Sequence, residues 1–142
     1  MRLLARRWGS FPTTADVGVW ATGPTAAALL EALGLGLTAL MTDLRRVRPR
    51  EERAVRASAA DPSGLVVAFL TELVLLHAED GFVVRQIRAR TSGTPPTAVE
   101  AICLGEPFDP ARHTARTEVK AVTLHQLRFD PRQGRARVIV DI

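Results

Sequence analysis

The stretch Gly23-Pro24-Thr25-Ala26-Ala27-Ala28-Leu29-Leu30-Glu31-Ala32-Leu33-Gly34-Leu35-Gly36-Leu37-Thr38-Ala39-Leu40-Met41 decides the fold class. Gly-Pro ends whatever precedes it, and Thr25 supplies a hydroxyl suited to an N-cap. Leu29, Leu30, Leu33, Leu37, Leu40 and Met41 then recur at helical spacing and predict a buried stripe. Gly34 and Gly36 interrupt a run of good helix formers, each weakening it by up to ~1 kcal/mol relative to Ala. Their presence predicts close packing of this helix against a sheet.

Upstream, Phe11 to Thr22 reads as a strand after a turn at Pro12, with Val17, Val19 and Ala21 on one face. Downstream, Arg45 to Arg50 is a basic loop, and Glu51 to Ala59 alternates charged with apolar residues as an exposed strand does. Asp61-Pro62 is a second helix start, and that helix runs to about His77 with Leu65, Phe69, Leu73 and Leu76 buried. Five further strands are predicted, at Phe82–Arg90, Thr97–Leu104, Val119–Thr123, Leu127–Asp130 and Arg135–Asp141, with turns at Gly93 and Gly134 among them. Short connections favour antiparallel pairing. The expected fold is α+β: one domain over residues 1–142, a mixed, largely antiparallel sheet, and two principal helices packed on it. Residues 1–10 read either as a short strand or as a frayed end.

The bulk numbers agree with a globular domain. A chain of 142 residues with 46% hydrophobic and 24% charged content buries about two-thirds of its unfolded surface. No segment approaches the ~20 apolar residues that a membrane helix needs, and the N-terminus lacks a secretory apolar core. The expectation is a cytoplasmic protein with no membrane contact. Cys103 is the one cysteine, which rules out an internal disulfide and a cysteine-based zinc site. Between Ile102 and Leu104 it reads as a buried, inert thiol.

The net charge is +4 and the pI about 10.8. Of 19 Lys and Arg residues only Lys120 is lysine, and Asn and Tyr are absent. That is compositional bias, with arginine spread along the chain, so direct nucleic-acid binding is the minority reading. The same bias singles out Lys120. Either it survived by chance, or it sits where a compact ammonium works and a planar guanidinium does not.

Candidate chemistry is mostly acidic. Asp141 ends a predicted strand with only Ile142 after it, so its carboxylate neighbours the chain's terminal carboxylate. Two such anions are solvated, paired with a cation, or bound to metal. Oxygen-only ligation suits Ca²⁺ or Mg²⁺, with Zn²⁺ a further option. Asp16, at the entry to the first strand, reads alone as a turn or cap residue; brought near Asp141 it could share one divalent ion with it and the terminus. The loop Gly105-Glu106-Pro107-Phe108-Asp109-Pro110-Ala111-Arg112-His113 is braced by two prolines. It presents Glu106, Asp109 and His113 as an acid–base loop, a docking surface, or a connector with internal salt bridges. Glu118 and Lys120 are expected on one strand face, with His125 beyond them. His77 reads as a polar group at a helix C-terminus. No nucleophile elbow, phosphate loop or zinc spacing is present.

Together these stretches resemble the archease family, over about Phe11 to Ile142. Thr14-Ala15-Asp16-Val17-Gly18 is similar to the family's opening, Leu40-Met41-Thr42-Asp43 to its first-helix ending, and Phe69-Leu70-Thr71-Glu72-Leu73 to its second helix. The most specific matches are Gly105 to Pro110 with Arg112-His113, Glu118-Val119-Lys120-Ala121-Val122-Thr123, and the terminal Val140-Asp141-Ile142. Three departures stand out: Thr13 where the family usually has His, Leu124 where an aromatic is common, and Ala68 where an acid is common. The resemblance implies a non-catalytic accessory protein of an RtcB-type RNA ligase in tRNA splicing or RNA repair, touching RNA indirectly through the ligase. It implies that the protein promotes guanylylation of the ligase's active-site histidine and multiple turnover. It implies a metal site at Asp16, Asp141 and Ile142, calcium foremost, and a role for Lys120 in activation. Two other classes stay open on the residues alone: a free-standing metal-dependent enzyme acting on nucleotides or RNA, and an RNA-binding or chaperone-like module.

Overall fold

The computed structural model describes residues 6–14 and 16–142. In chain order it comprises β1 (Trp8–Pro12), β2 (Val17–Thr22), α1 (Ala26–Met41), a 3₁₀ turn (Leu44–Arg46), β3 (Glu51–Ser58), α2 (Pro62–Ala78), β4 (Phe82–Ser92), β5 (Ala98–Pro107), β6 (Ala121–Asp130) and β7 (Arg135–Asp141). The helices begin where their caps predict. Thr25 Oγ1 accepts the Ala28 N–H at 3.0 Å, and the Asp61 carboxylate accepts the Gly64 N–H at 2.7 Å with Pro62 opening the helix.

The strands divide into two antiparallel sheets where a single sheet was expected. One has the order β1-β2-β7-β6, the other β3-β5-β4. Both helices lie between them: α1 packs on β2 and β1 from one side and on β4 from the other, while α2 packs on β6 and on β3. The reason is in the helices themselves, which are apolar over most of their circumference and need cover on two faces. In α1 the buried set includes Leu30, Ala32, Gly34 and Gly36 besides Leu29, Leu33, Leu37 and Met41. The two glycines face opposite ways. A Cβ on Gly34 would stand 2.5 Å from the Ile87 side chain of β4, and one on Gly36 would stand 2.6 Å from the Val19 side chain of β2. Each glycine thus lets one sheet close on the helix, and Leu40 is left only half-buried.

The largest departures from the predicted elements are three. The strand predicted over 11–22 is a hairpin, β1 and β2, in register Pro12↔Val17 to Trp8↔Ala21. Pro12 is tolerated because β1 is a sheet edge. The strands predicted at 119–123 and 127–130 form one strand, β6, interrupted by a bulge between Thr123 and Arg128. β5 also runs on to Pro107, so Glu106 belongs to a strand and not to the loop.

Candidate functional site

Three strands of the four-stranded sheet end together. β7 is flanked by β2 and β6, with Val17 and Val122 both opposite Val140, and Ala121 opposite Asp141. The Lys120 N–H donates to the Asp141 carbonyl at 2.8 Å, extending that register by one residue. Asp16 directly precedes Val17, so it stands beside Asp141 across strands spaced by about 4.8 Å. Asp16, Asp141, Ile142 and Lys120 therefore gather at one sheet end. Asp141, Ile142 and Lys120 are exposed, and Asp16 is half-buried.

Asp16 is held by its backbone. Its N–H donates to Thr13 Oγ1 at 3.0 Å, and its carbonyl accepts the Thr13 N–H at 3.2 Å. Thr13 thus closes the turn, and among the described residues the Asp16 side chain accepts no hydrogen bond there. Among the described residues neither the Asp16 nor the Asp141 carboxylate has an ion-pair partner. The donors collected here are oxygens, the kind a hard divalent cation takes. No group of three or more His, Cys, Asp or Glu side chains is placed to hold a metal among the described residues. An ion at this end would need main-chain oxygen as well as the two aspartates.

Lys120 and Glu118 precede β6 and do not lie on a strand face as expected. Val119 between them is buried, so both side chains are turned to solvent. The segment before them caps α1: the Arg116 and Thr117 N–H groups donate to the Met41 and Leu40 carbonyls at 3.0 and 2.9 Å. The last carbonyls of a helix need such partners. α1 thereby fixes where Lys120 stands.

Glu106 and His113 are elsewhere and inside, at 3% and 4% exposure. His113 Nδ1 accepts the Asp109 N–H at 2.8 Å. That leaves the ring proton on Nε2, which donates to Glu106 Oε2 at 2.9 Å. Glu106 also accepts the Arg48 N–H at 2.8 Å and pairs with Arg112 and, at 3.5 Å, with Arg50. Burial alone would raise its pKa; the Arg48 N–H, the His113 ring and the Arg112 guanidinium outweigh that and bring it down to about 2. The Asp109 carboxylate accepts the Ala111 N–H at 2.9 Å and tightens the turn. Of the three readings of this loop, the geometry is that of an internally bridged connector.

His125 lies on the bulge of β6, exposed between Leu124, which is 63% exposed, and Gln126 at φ +51°. His77, in the last turn of α2, meets Phe108 edge-on and is pushed below its ordinary pKa by burial. Cys103 is fully buried, and burial pushes its thiol up to about 12. No helix among the described residues is long and apolar enough to cross a membrane.

The architecture defines a small α+β domain with two helices held between antiparallel sheets, and it brings Asp16, Asp141 and the lone lysine to one sheet end. The chain belongs to the archease family: a model of the Archease protein family matches residues 8–142. It is similar to Protein archease of Thermococcus gammatolerans, 39% identical over 126 residues that cover 88% of this chain and 89% of the relative. It is likewise similar to Protein archease of Methanopyrus kandleri, 35% identical over 144 residues, covering 95% and 99%. The fold matches the solution structure of protein 1598 from Methanobacterium thermoautotrophicum with a TM-score of 0.76 and 29% identity, over 97% of this chain and 100% of that one.

Proposed function

We propose that this chain is a cytoplasmic, non-catalytic activator of an RtcB-type RNA ligase in tRNA splicing or RNA repair. On this reading it promotes guanylylation of the ligase histidine and supports repeated turnover. Membership of the archease family supports the accessory role. The observation that carries it to particular residues is the register that sets Asp16 beside Asp141, with Lys120 hydrogen-bonded to the same strand end.

Asp16, Asp141 and the Ile142 main-chain oxygens would hold a divalent ion, calcium foremost, with magnesium or zinc as alternatives. A bound ion at this end would supply neutralisation of phosphate charge. The chain's own contribution is positional. Backbone bonds at Thr13 fix Asp16, the sheet fixes Asp141, and the α1 cap fixes Lys120, whose ammonium adds a compact positive charge that arginine would spread over a plane.

Guanylylation of a ligase from the same source, measured with radiolabelled GTP with and without this chain, tests the reading. Stimulated labelling supports it. Unchanged labelling, or turnover by the isolated chain that a chelator abolishes, refutes it and favours a free-standing metal-dependent enzyme.

A further inference from the structure

Among the described residues β1 and β4 are edge strands of the two sheets, and they flank α1 with a groove along it. Its lower hollow, about 500 Å³, is lined by Arg6, Arg7, Trp8, Glu31, Arg85 and Arg88 among others. Its upper hollow, about 480 Å³, is lined by Arg6, Trp8, Asp43, Arg45, Arg85 and Arg116 among others. Arg6, Trp8 and Arg85 belong to both, so the two are one channel that follows the helix from Ala28 to Leu40.

Among the described residues six arginines line this channel against two acids, an excess as large as the net charge of the whole chain, +4. Both acids are engaged. Asp43 pairs with Arg45 at 3.0 Å and Arg116 at 3.6 Å. Glu31 accepts the Ala89 N–H at 2.7 Å. Arg50, Arg53, Arg56, Arg90 and Arg112 pair with carboxylates elsewhere. Arg6, Arg7, Arg85 and Arg88 have no carboxylate partner among the described residues, and residues 1–5 and 15 contain no acid that could supply one.

Arg85 is set in place by a backbone device. It is the extra residue of a β-bulge, since Val84 pairs with Gly105 and Gln86 with Leu104. Bulges re-aim side chains, and this one puts Arg85 where the two hollows join. Gly105 makes the bulge possible, because a Cβ there would collide with the Val83 carbonyl. Beside it, the Arg6 guanidinium lies over the Trp8 ring at 5.3 Å. A planar cation on an indole offers a stacking surface that bases use irrespective of sequence. The upper hollow ends at Arg116, whose segment leads to Lys120.

We propose that this groove binds single-stranded RNA directly, its phosphates against Arg6, Arg7, Arg85 and Arg88 and a base near Trp8, the strand running toward the Lys120 end. The proposal does not rest on ligase activation, because the isolated chain suffices to test it. Four phosphate contacts give a salt slope of about −2.8 for a single strand, so affinity should fall about 50-fold between 50 and 200 mM salt.

The experiment is fluorescence anisotropy with a labelled oligouridine of about 15 nucleotides. The expected result is salt-sensitive binding that Arg6→Glu/Arg85→Glu/Arg88→Glu weakens by more than about tenfold, while Arg132→Glu, in the β6–β7 turn outside the groove, changes it by less than about threefold. Arg6→Gln/Arg88→Gln touches only exposed side chains without a carboxylate partner, so the fold should survive, and it should halve the salt slope to about −1.4. No binding at low salt, equal loss in the groove and control variants, or tighter binding of polyglutamate than of the RNA at matched charge would overturn the proposal; the last would assign the groove to an acidic protein segment.

Discussion

Glu106→Gln tests whether the most buried acid is a structural bridge. The substitution keeps the shape and removes the charge, making the side chain a stand-in for protonated Glu106. A carboxyl that ionises near 2 in the fold and near 4.5 when unfolded contributes at most about 3 kcal/mol at neutral pH. Arg50, one of its partners, is open to solvent at 62% exposure, and screening there brings the figure to roughly 2–3 kcal/mol. Its folded pKa is lowered, so the contribution is complete above pH 4.5 and is lost as pH falls toward 2. About 1 kcal/mol remains at pH 3. For a chain of this size, a loss of 2–3 kcal/mol lowers Tm by about 6–10 °C.

The assay is urea unfolding of both proteins at pH 7, 5, 4 and 3. Other groups titrate over this range. Stability also declines below pH 6.5 because half-buried His77 has a lowered pKa, and below about 4 because the Arg45 hydrogen bond holds Asp43 near 2. Both are common to the two proteins and cancel in the difference. The two stability curves should be 2–3 kcal/mol apart at pH 7 and converge toward pH 3. A gap under about 0.5 kcal/mol at pH 7, or one that stays constant with pH, would refute the reasoning.

Gly105→Ala should cost about 3 kcal/mol or more, because its Cβ would meet the Val83 backbone carbonyl, which no rotamer change relieves; chemical denaturation checks this, and a loss under about 1 kcal/mol would show that the bulge can relax. Cys103 should resist a thiol reagent at pH 8 in the folded protein and react at once in urea, since it is fully buried with its thiol pushed up to about 12. A tag after Ile142 should weaken calcium binding, read by calorimetry, more than a tag before Met1; equal effects would remove the chain terminus from the ligand set.

The parts of this fold that were legible in the sequence are those decided within a few residues. Thr25 and Asp61-Pro62 announce their helices because a cap and its N–H lie three residues apart. The division into two sheets was also written locally, in Gly34 and Gly36 on opposite sides of α1, but a reading confined to the Leu stripe sees one buried face. The bulge at Leu124-His125-Gln126 broke β6 in the sequence because strand periodicity fails there, although β7 bridges the gap. At the candidate site, Asp141 was conspicuous from its place at the chain end. That Asp16 stands beside it depends on β2–β7 pairing across most of the chain, which periodicity does not encode and only the family resemblance supplied. Glu106 and His113 drew notice as polar residues in a stiff loop, and burial was the missing fact. The arginine groove was missed for a related reason. Its residues come from four separated segments and look like a uniform bias until the fold collects them.

The most direct test of the central claim is ligase guanylylation with the sheet end altered one residue at a time. Asp16→Ala, Asp141→Ala and Lys120→Arg should each remain folded, since none of these side chains is buried in the core, and each should leave labelling at the level of the ligase alone. Stimulation equal to that of the unaltered chain by Asp16→Ala and Asp141→Ala would contradict the account.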